Sequence, residues 1–500
     1  MENLIEQWDI FEAVFDGPKQ GNPFMQGGLS VEFKHPDGNV RVNGFYDGDG
    51  LYRIRFMPEL TGKWTFTINS PISGLDGKTG SFECVLPAMG NHGPVRVRNQ
   101  FHFAYSDGKP YFPFGTTCYA WIHQNCTLQE ETLKTLSESP FNKIRMCVFP
   151  KHYDYNHTEP DLYPYEGSPE TGFDFQRFNP AFFRHLEQRI LDLMRLGMEC
   201  DLILFHPYDR WGFSSMGFEN DALYLNYTVT RLSAFRNIWW SIANEFDLME
   251  MAMPGKSATP AKKPEDWERF ARIIRANDPY HHLLSVHNCM RMFDHKKPWV
   301  THCSIQRIDV FRTAENTDGW RKEYGKPVVV DECAYEGNIN HGWGNITGQE
   351  MTRRFWEGVL RGGYLTHGET YVHPQDILWW SHGGELHGSS PGRIAFLREI
   401  IEAAPAEINP AAGPETGFNP YWDVTVGTVG TDYYLYYFGF NQPTFRTFKM
   451  PAGKTYRVDI IDTWDRTISS LPGTYCSDFR IELPGKQYIA VRMESVNHNM

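Results

Sequence analysis

The 500-residue chain lacks the marks of several classes of protein. Its nine cysteines include no Cys-x-x-Cys pair, and their odd number favours reduced thiols over a disulfide framework. No apolar run approaches the roughly 18 residues of a membrane span, and the N-terminus lacks the basic segment and apolar run of a signal peptide. These absences predict a cytoplasmic protein that does not enter a membrane.

Positive charge is also scarce. The chain has 48 Lys and Arg against 61 Asp and Glu, a formal net charge of -13, which argues against nucleic acid or anionic lipid as a partner. Aromatic residues, by contrast, make up 15% of the chain, enough to leave Trp and Tyr for stacking on a ligand. Assembly into a homo-oligomer is left open.

The pattern of hydrophobic residues divides the chain into three predicted domains. Residues 1–95 alternate apolar and polar positions in short stretches between turn clusters, which predicts a β-sandwich of the immunoglobulin-like kind. Residues 96–405 alternate strand-like and helix-like segments, which is typical of a parallel α/β fold. Residues 406–500 return to short strands and predict a second β-sandwich.

The middle domain contains eight candidate strands, which predicts a (β/α)8 TIM barrel. The predicted strands are 111–117, 143–149, 200–205, 238–243, 283–286, 301–305, 327–331 and 364–369. Helices are signalled between them by Asn179-Pro180 before a run of helical periodicity and by a possible capping box at Thr347 and Glu350. No convincing helix is predicted between the fifth and sixth strands.

Chemistry in a TIM barrel takes place at the carboxyl ends of the strands. Two glutamates follow apolar strands there: Glu245 after the fourth and Glu332 after the seventh. These strands face each other across a barrel, so the two carboxylates can meet as a retaining glycosidase requires, at roughly 5–5.5 Å. Glu245 is predicted to be the acid/base and Glu332 the nucleophile, with Arg145 as a counter-charge that keeps Glu332 ionised.

Other polar and aromatic residues recur at the predicted strand ends, as a sugar-binding rim would require. The predicted substrate-binding residues are Tyr119, Trp121, Arg145, His206, Asn244, His287, Gln306, Tyr335, His367, Glu369 and Trp380. Glu336 and Glu369 are interpreted as groups that support the site or extend it.

The order of Arg145, His206, Asn244-Glu245 and Glu332 resembles clan A glycoside hydrolases. The segments Asp107-Gly-Lys-Pro-Tyr-Phe-Pro-Phe-Gly-Thr-Thr and Lys326-Pro-Val-Val-Val-Asp-Glu-Cys-Ala-Tyr-Glu-Gly are similar to those of the apiosidase-like branch, whose Gly-Glu-Pro triplet reads Asp331-Glu332-Cys333 here. The resemblance covers nearly the whole chain, including the flanking sandwiches. It implies that Asn244 donates to the sugar hydroxyl beside the anomeric carbon.

Two alternatives stay open at this stage. Histidines at four strand ends are compatible with a metal-dependent barrel hydrolase, although the first strand lacks the His-x-His pair usual in that class. A non-catalytic carbohydrate-binding protein is the other. The preferred prediction is a retaining, exo-acting glycosidase of short, imported glycans that uses no metal and no cofactor.

Overall fold

The computed structural model describes residues 4–252, 259–308, 312–375, 377–411 and 419–496. The chain begins with two facing β-sheets, and alternate residues of their strands point into a shared core. In strand Leu51–Phe56, for example, Tyr52, Ile54 and Phe56 are buried. Phe33 stacks on Phe56 between the sheets at 4.1 Å. The five-stranded sheet runs Leu4–Glu6, Thr79–Val85, Gly62–Asn69, Ser30–His35, Gly38–Asn43, and the three-stranded sheet Phe11–Asp16, Leu51–Phe56, Phe45–Tyr46.

A small antiparallel sheet leads from this sandwich into the barrel. Its strands are Val95–Arg98, His102–Tyr105 and Pro110–Tyr111. Phe103 packs on Trp239 with ring centroids 5.1 Å apart and on Tyr364 at 5.4 Å. These partners begin the fourth and eighth barrel strands, so the sheet covers the amino-terminal end of the barrel. The predicted first strand therefore starts later than expected, because Tyr111 belongs to this sheet.

Eight parallel strands form the predicted TIM barrel. In chain order they are Phe114–Thr117, Lys143–Cys147, Glu199–Phe205, Ile238–Ala243, Leu284–Ser285, Cys303–Gln306, Val328–Glu332 and Tyr364–His367. The first strand pairs with the eighth, and a parallel bridge between His287 and Ser304 joins the fifth to the sixth. The barrel is therefore closed, with the carboxyl ends of all eight strands at one rim.

Helices cover the outside of the barrel where the sequence signalled them. Asn179 Oδ1 accepts the Ala181 N–H and Thr347 Oγ1 accepts the Glu350 N–H, which caps two of the helices. As predicted, residues 286–302 form no helix between the fifth and sixth strands. The α-helices are Cys126–Glu138, Pro180–Arg195, Phe218–Leu232, Phe246–Met249, Pro264–Asn277, Thr317–Tyr324, Gly348–Leu360, Trp379–His382 and Pro391–Glu402. Single 3-10 turns occur at Trp121–His123, Phe213–Ser215, Ala314–Asn316 and Gly342–Gly344.

Two short pairs of β-strands form in the loops of the barrel. A hairpin of Tyr165–Ser168 and Gly172–Phe178 follows the second strand. Glu336–Gly337 pairs in parallel with Glu369–Thr370 beyond the seventh and eighth strands. This second pairing ties together two loops that begin at the rim.

The chain ends in a second antiparallel β domain. It packs against the helix Gly348–Leu360, where Tyr437 stacks on Trp356 at 5.3 Å. Its main sheet runs Asn409–Pro410, Thr425–Val429, Tyr433–Tyr437, Ile489–Ser495, Thr455–Asp462, Thr467–Ser470, with Tyr475–Cys476 also paired to Thr455–Asp462. Phe445–Lys449 and Asp478–Glu482 form the second sheet. Across the described ranges, no helix has both the length and the apolar character needed to cross a bilayer.

Candidate active site

A cavity of about 400 Å³ opens at the carboxyl-terminal rim of the barrel. Glu245 and Glu332, from opposite sides of the barrel, both line it. The other lining residues are mainly aromatic: Tyr153, Asp154, Tyr155, Tyr208, Cys289, Gln306, Ile308, Tyr335, His341, Trp343 and Trp380. The rim therefore combines Glu245, Glu332 and Asp154 with mainly aromatic walls.

The backbone of Glu245 is strained. Its φ of 53° lies in the left-handed region, which a residue with a side chain rarely adopts. Hydrogen bonds on both sides hold it there, from Asn244 N–H to the Phe205 carbonyl (2.9 Å) and from Phe246 N–H to the His287 carbonyl (3.0 Å). Strain of this kind persists where the surroundings enforce it and is frequent at functional sites. It turns the Glu245 carboxylate into the cavity.

Glu332, the last residue of the seventh strand, lies among hydrogen-bond donors. Tyr119 donates its hydroxyl proton to Glu332 Oε1, and Arg145 Nη1 is 3.6 Å from the same oxygen. Arg145 also donates to Asn244 Oδ1 at 3.2 Å. The counter-charge expected of Arg145 is therefore in contact with Glu332, and the same guanidinium connects the two strand ends.

A network of buried charged side chains inside the barrel holds Arg145 in place. Lys143 Nζ is 2.8 Å from Asp201 Oδ2 and 2.8 Å from Asp331 Oδ1, and Arg145 Nε is 3.5 Å from Asp201 Oδ2. All four side chains are almost fully buried. Two cations thus face two aspartates inside the barrel, which satisfies charges that would be costly to bury alone. The network gives Arg145 a fixed direction toward the cavity.

One amide connects the two glutamates. In the orientation of Gln306 that matches its nitrogen to acceptors, Nε2 lies 3.2 Å from Glu245 Oε1 and 3.3 Å from Glu332 Oε2. Glu245 Oε1 and Glu332 Oε2 are therefore separated by no more than the sum of these two distances. Asn244 Nδ2 donates to the remaining oxygen, Glu245 Oε2, at 3.2 Å. Gln306 and Asn244 thus fix the relative position of the pair.

Burial and proximity of the pair change its ionisation. Burial, followed by the nearby charge of Glu245, raises the pKa of Glu332 to about 7, whereas Arg145 and the Tyr119 hydrogen bond act in the opposite direction. The expected contribution of Arg145 to the charged form of Glu332 is present, and desolvation outweighs it. The two carboxylates interact strongly, so their proton binding is linked. One proton is retained between the carboxylates up to near-neutral pH.

His287 is the nearest imidazole to the pair, with Nε2 3.8 Å from Glu332 Oε1. Burial, followed by the charge of Arg145, holds its pKa well below the usual range. The ring is therefore neutral at physiological pH. His287 is fully buried and does not line the cavity, so it lies beside Glu332 without adding charge.

Lys151 and Tyr208 were not among the predicted substrate-binding residues. Lys151 is buried among aromatic side chains, with Nζ 3.6 Å from the ring centre of Tyr119 and 4.4 Å from that of Tyr208. Burial lowers the pKa of Lys151. Burial, followed by the nearby charge of Glu245, holds the pKa of Tyr208 well above its usual range. A Lys shortly after the second strand carries no periodic signal, so only the folded loop shows it.

The aromatic wall comes from three loops. Trp380 contacts Trp343 at 5.1 Å between ring centroids, Tyr335 at 5.6 Å and Tyr119 at 5.7 Å. Tyr335 and Trp380 were predicted, whereas Trp343 was not. A sugar ring presents C–H faces that pack well on such a surface.

Four predicted substrate-binding residues, Trp121, His206, His367 and Glu369, lie elsewhere. Trp121 is fully buried, and its Nε1–H points to Met146 Sδ at 3.2 Å. His206 is buried behind the rim, with Nε2 3.2 Å from the Phe149 carbonyl and Nδ1 accepting the Tyr208 N–H. His367, Glu369 and Glu336 gather in a separate buried cluster, which among the described residues is the one group of three side chains spaced to hold a metal.

The comparison with protein families agrees with this geometry. Residues 97–433 match the model of the apiosidase-like catalytic domain. The chain belongs to the apiosidase-like family. It is a glycoside hydrolase of the clan A type, and its substrate is a carbohydrate. Two domains of unknown function flank the apiosidase-like domain, DUF5060 at residues 4–71 and DUF5605 at residues 422–494.

Solved structures show the same architecture. A protein from Bacteroides vulgatus ATCC 8482, described as a candidate glycoside hydrolase, is 40% identical with a TM-score of 0.92, over 99% of this chain and 100% of its own. A family 5 glycoside hydrolase from the same organism shares the fold at 16% identity and a TM-score of 0.61, covering 82% of this chain and 96% of its own. No curated protein matches the apiosidase-like chain in sequence.

Proposed function

We propose that the protein is a retaining, exo-acting glycosidase in which Glu332 is the nucleophile and Glu245 the acid/base. The observation that carries this proposal is the Gln306 amide, which reaches one oxygen of each carboxylate. Retaining enzymes hold their carboxyl groups about 5–5.5 Å apart, whereas inverting enzymes leave about 6.5–9.5 Å for a water molecule. A pair connected through one nitrogen fits the shorter separation.

The reaction proceeds in two displacements. In the first, Glu245 gives its proton to the glycosidic oxygen while Glu332 attacks the anomeric carbon, so the bond to the leaving group breaks and a glycosyl ester forms. In the second, the Glu245 carboxylate takes a proton from a water molecule whose oxygen attacks the same carbon. The ester bond breaks, and both carboxyl groups return to their starting states.

The neighbouring side chains suit these steps. Tyr119 and Arg145 contact Glu332 Oε1 and orient the carboxylate, which leaves Oε2 toward the cavity and Gln306. Asn244 lies beside Glu245, where its amide can reach a hydroxyl on the carbon next to the anomeric centre. Hydrogen bonds at that hydroxyl strengthen in the transition state and contribute several kcal/mol.

Exo action on short substrates is supported by a contact between loops. Tyr155, from the loop after the second strand, donates to Asn340 Oδ1 at 3.3 Å, and its ring lies 5.9 Å from that of Trp343. Both Asn340 and Trp343 belong to the loop after the seventh strand. The two loops therefore meet beside the cavity and restrict the path of a long glycan through it.

The proposal is tested with aryl glycosides, including β-glucosides, β-xylosides, α-arabinofuranosides and β-apiosides. For the substrate that is cleaved, ¹H NMR should show the first-formed sugar with the anomeric configuration of the substrate. First formation of the opposite anomer would contradict the retaining mechanism. Glu245→Gln should still bind the sugar in calorimetry without hydrolysing unactivated glycosides, whereas unchanged hydrolysis would exclude Glu245 as the acid/base.

A further inference from the structure

A second group of buried titratable side chains lies outside the cavity. Glu336 and Glu369 face each other across the short parallel pairing of their loops, and His367 ends the eighth strand two residues before Glu369. One ligand atom from each side chain lies within 4.8 Å of the others. All three side chains are at most 1% exposed, and none lines the cavity.

The two carboxylates are oriented by the backbone. Glu336 accepts the N–H groups of Ser389 (2.7 Å) and Ser390 (3.0 Å), and Glu369 accepts those of His387 (2.5 Å) and Gly388 (2.8 Å). Hydrogen bonds of this kind commonly orient carboxylates that bind metals. Glu336 Oε1 also accepts the hydroxyls of Ser389 (3.0 Å) and Tyr371 (2.9 Å), so Glu336 Oε2 and the two Glu369 oxygens, with one backbone N–H each, keep lone pairs for a further partner.

The imidazole of His367 is aimed at the same point. Its Nδ1 is 3.2 Å from Thr116 Oγ1, and its ring stacks on Phe141 at 4.7 Å, so the orientation of the ring is fixed. Nε2 lies 4.0 Å from Glu369 Oε2 and has no hydrogen-bond partner among the described residues. With the proton on Nδ1 and donated to Thr116, the Nε2 lone pair faces the two carboxylates.

We propose that Glu336, His367 and Glu369 bind a divalent transition-metal cation, with zinc as the preferred ion. One imidazole nitrogen with two carboxylates is a donor set that zinc accepts, at about 2.0–2.2 Å from each ligand. Ligands at that distance stand about 3–4 Å apart, so small movements of these side chains would close the site. The cation neutralises two buried carboxylates that face each other.

A bound cation would have a structural effect. It would tie the loop after the seventh strand to the loop after the eighth strand and to the start of the helix Pro391–Glu402. Tyr335, which precedes Glu336, and Trp380 stand on the cavity side of these loops. The site would therefore stabilise the aromatic wall without touching the substrate.

Gly388 lies next to the proposed cation site, and its lack of a side chain leaves room there. A Cβ at this position would lie less than 3.0 Å from both Glu369 Oε2 and Glu336 Oε2. Its φ lies outside the left-handed region, so alanine causes no backbone strain there. Gly388→Ala therefore crowds the proposed site while all three ligands remain.

The test measures zinc in the full-length, tag-free protein. After treatment with EDTA, addition of Zn²⁺ and desalting, mass spectrometry should find one zinc per chain, and Zn²⁺ should raise the Tm. His367→Gln and Glu369→Gln should lose both effects. Gly388→Ala should weaken zinc binding by about tenfold or more, as changes next to metal ligands do.

Two variants serve as controls because they change buried groups of the same type elsewhere. His302→Gln and Glu199→Gln should each keep one zinc per chain. If the native protein retains no more zinc than His367→Gln, or if Zn²⁺ leaves its Tm unchanged, the proposal is wrong. In that case a shared proton, and not a metal, neutralises the cluster.

A second measurement on the native chain keeps the test decisive if a variant fails to fold. Co²⁺ in place of Zn²⁺ should give visible absorption and shifted imidazole NMR signals from His367. The spectrum of free Co²⁺ in the presence of the protein would overturn the proposal. Neither readout depends on hydrolysis, so the result is independent of the proposed glycosidase mechanism.

Discussion

Two pairs of buried glutamates lie near the same rim, and their surroundings differ. Glu245 and Glu332 line a cavity and share the side-chain amide of Gln306, and Glu332 also contacts the phenol of Tyr119 and the guanidinium of Arg145. Glu336 and Glu369 lie outside the cavity and accept hydrogen bonds from backbone N–H groups, and Glu336 also accepts the hydroxyls of Ser389 and Tyr371. The His367 imidazole lies 4.0 Å from Glu369 without a hydrogen bond between them. A carboxylate after a barrel strand is therefore not by itself a catalytic group. Access to a cavity and the type of neighbour separate the two pairs.

The largest expected effect tests this comparison directly. Glu332→Ala removes the proposed nucleophile, so kcat/KM should fall by at least about 10⁴-fold, measured with an aryl glycoside. Glu336→Ala changes a glutamate four residues further along the same loop and should reduce the Tm more than the rate. A silent Glu332→Ala together with an inactive, folded Glu336→Ala would reverse the assignment of the two pairs.

Replacing the proposed acid/base should give a smaller, substrate-dependent effect. Glu245→Gln cannot protonate the leaving oxygen, so hydrolysis of a poor leaving group should slow by about 10²–10⁴-fold. Glycosides of acidic phenols need little protonation and should lose much less in the glycosylation step. Equal losses for both kinds of substrate in pre-steady-state kinetics would argue against Glu245 as the proton donor.

The pH profile should report the shared proton of the pair. The folded-state pKa of about 7 is raised above the ordinary carboxyl value, so the pair keeps one proton below that pH and loses it as pH rises. Activity needs that proton, and kcat/KM should therefore fall as the pH rises through about 7. In Tyr119→Phe the lost hydrogen bond no longer lowers this pKa, so the decline should move to higher pH. A shift to lower pH would contradict this assignment.

The smallest effects distinguish two tryptophans that the sequence could not separate. Trp380→Ala removes part of the cavity wall and should raise KM about tenfold through lost stacking on the sugar. Trp121→Phe lies in the core and should leave KM unchanged while lowering the free energy of unfolding by about 1–2 kcal/mol. Thermal unfolding and initial rates measure both. An increase in KM for Trp121→Phe alone would contradict this distinction.

Strand-level predictions succeeded where the signal is local. Ile238–Ala243 and the first three residues of Val328–Glu332 are mainly apolar because both of their faces are buried, and polar residues follow them where the strand meets the rim. Their order also placed Glu245 and Glu332 on opposite sides of one barrel. The small sheet formed by Val95–Arg98, His102–Tyr105 and Pro110–Tyr111 was not separated from the barrel, since its strands have the same alternating pattern as others.

Side-chain direction was not predictable in the same way. Trp121 and Trp380 both follow predicted strands, yet one packs on Met146 and the other faces the cavity. Lys151 and Trp343 reach the region only through the course of long loops. These placements depend on contacts between residues far apart in the chain, which periodicity does not record.

The sequence by itself determined that an eight-stranded barrel lies between two β domains. It also determined that one glutamate follows the fourth strand and another the seventh. Both results depend on strand order and on the local burial pattern, which are properties of neighbouring residues. Only the tertiary structure decided which of four buried glutamates share a cavity. It brought Gln306 to one oxygen each of Glu245 and Glu332, and it brought His367 to Glu336 and Glu369. Loops that start from different strands meet in this way only when the barrel closes.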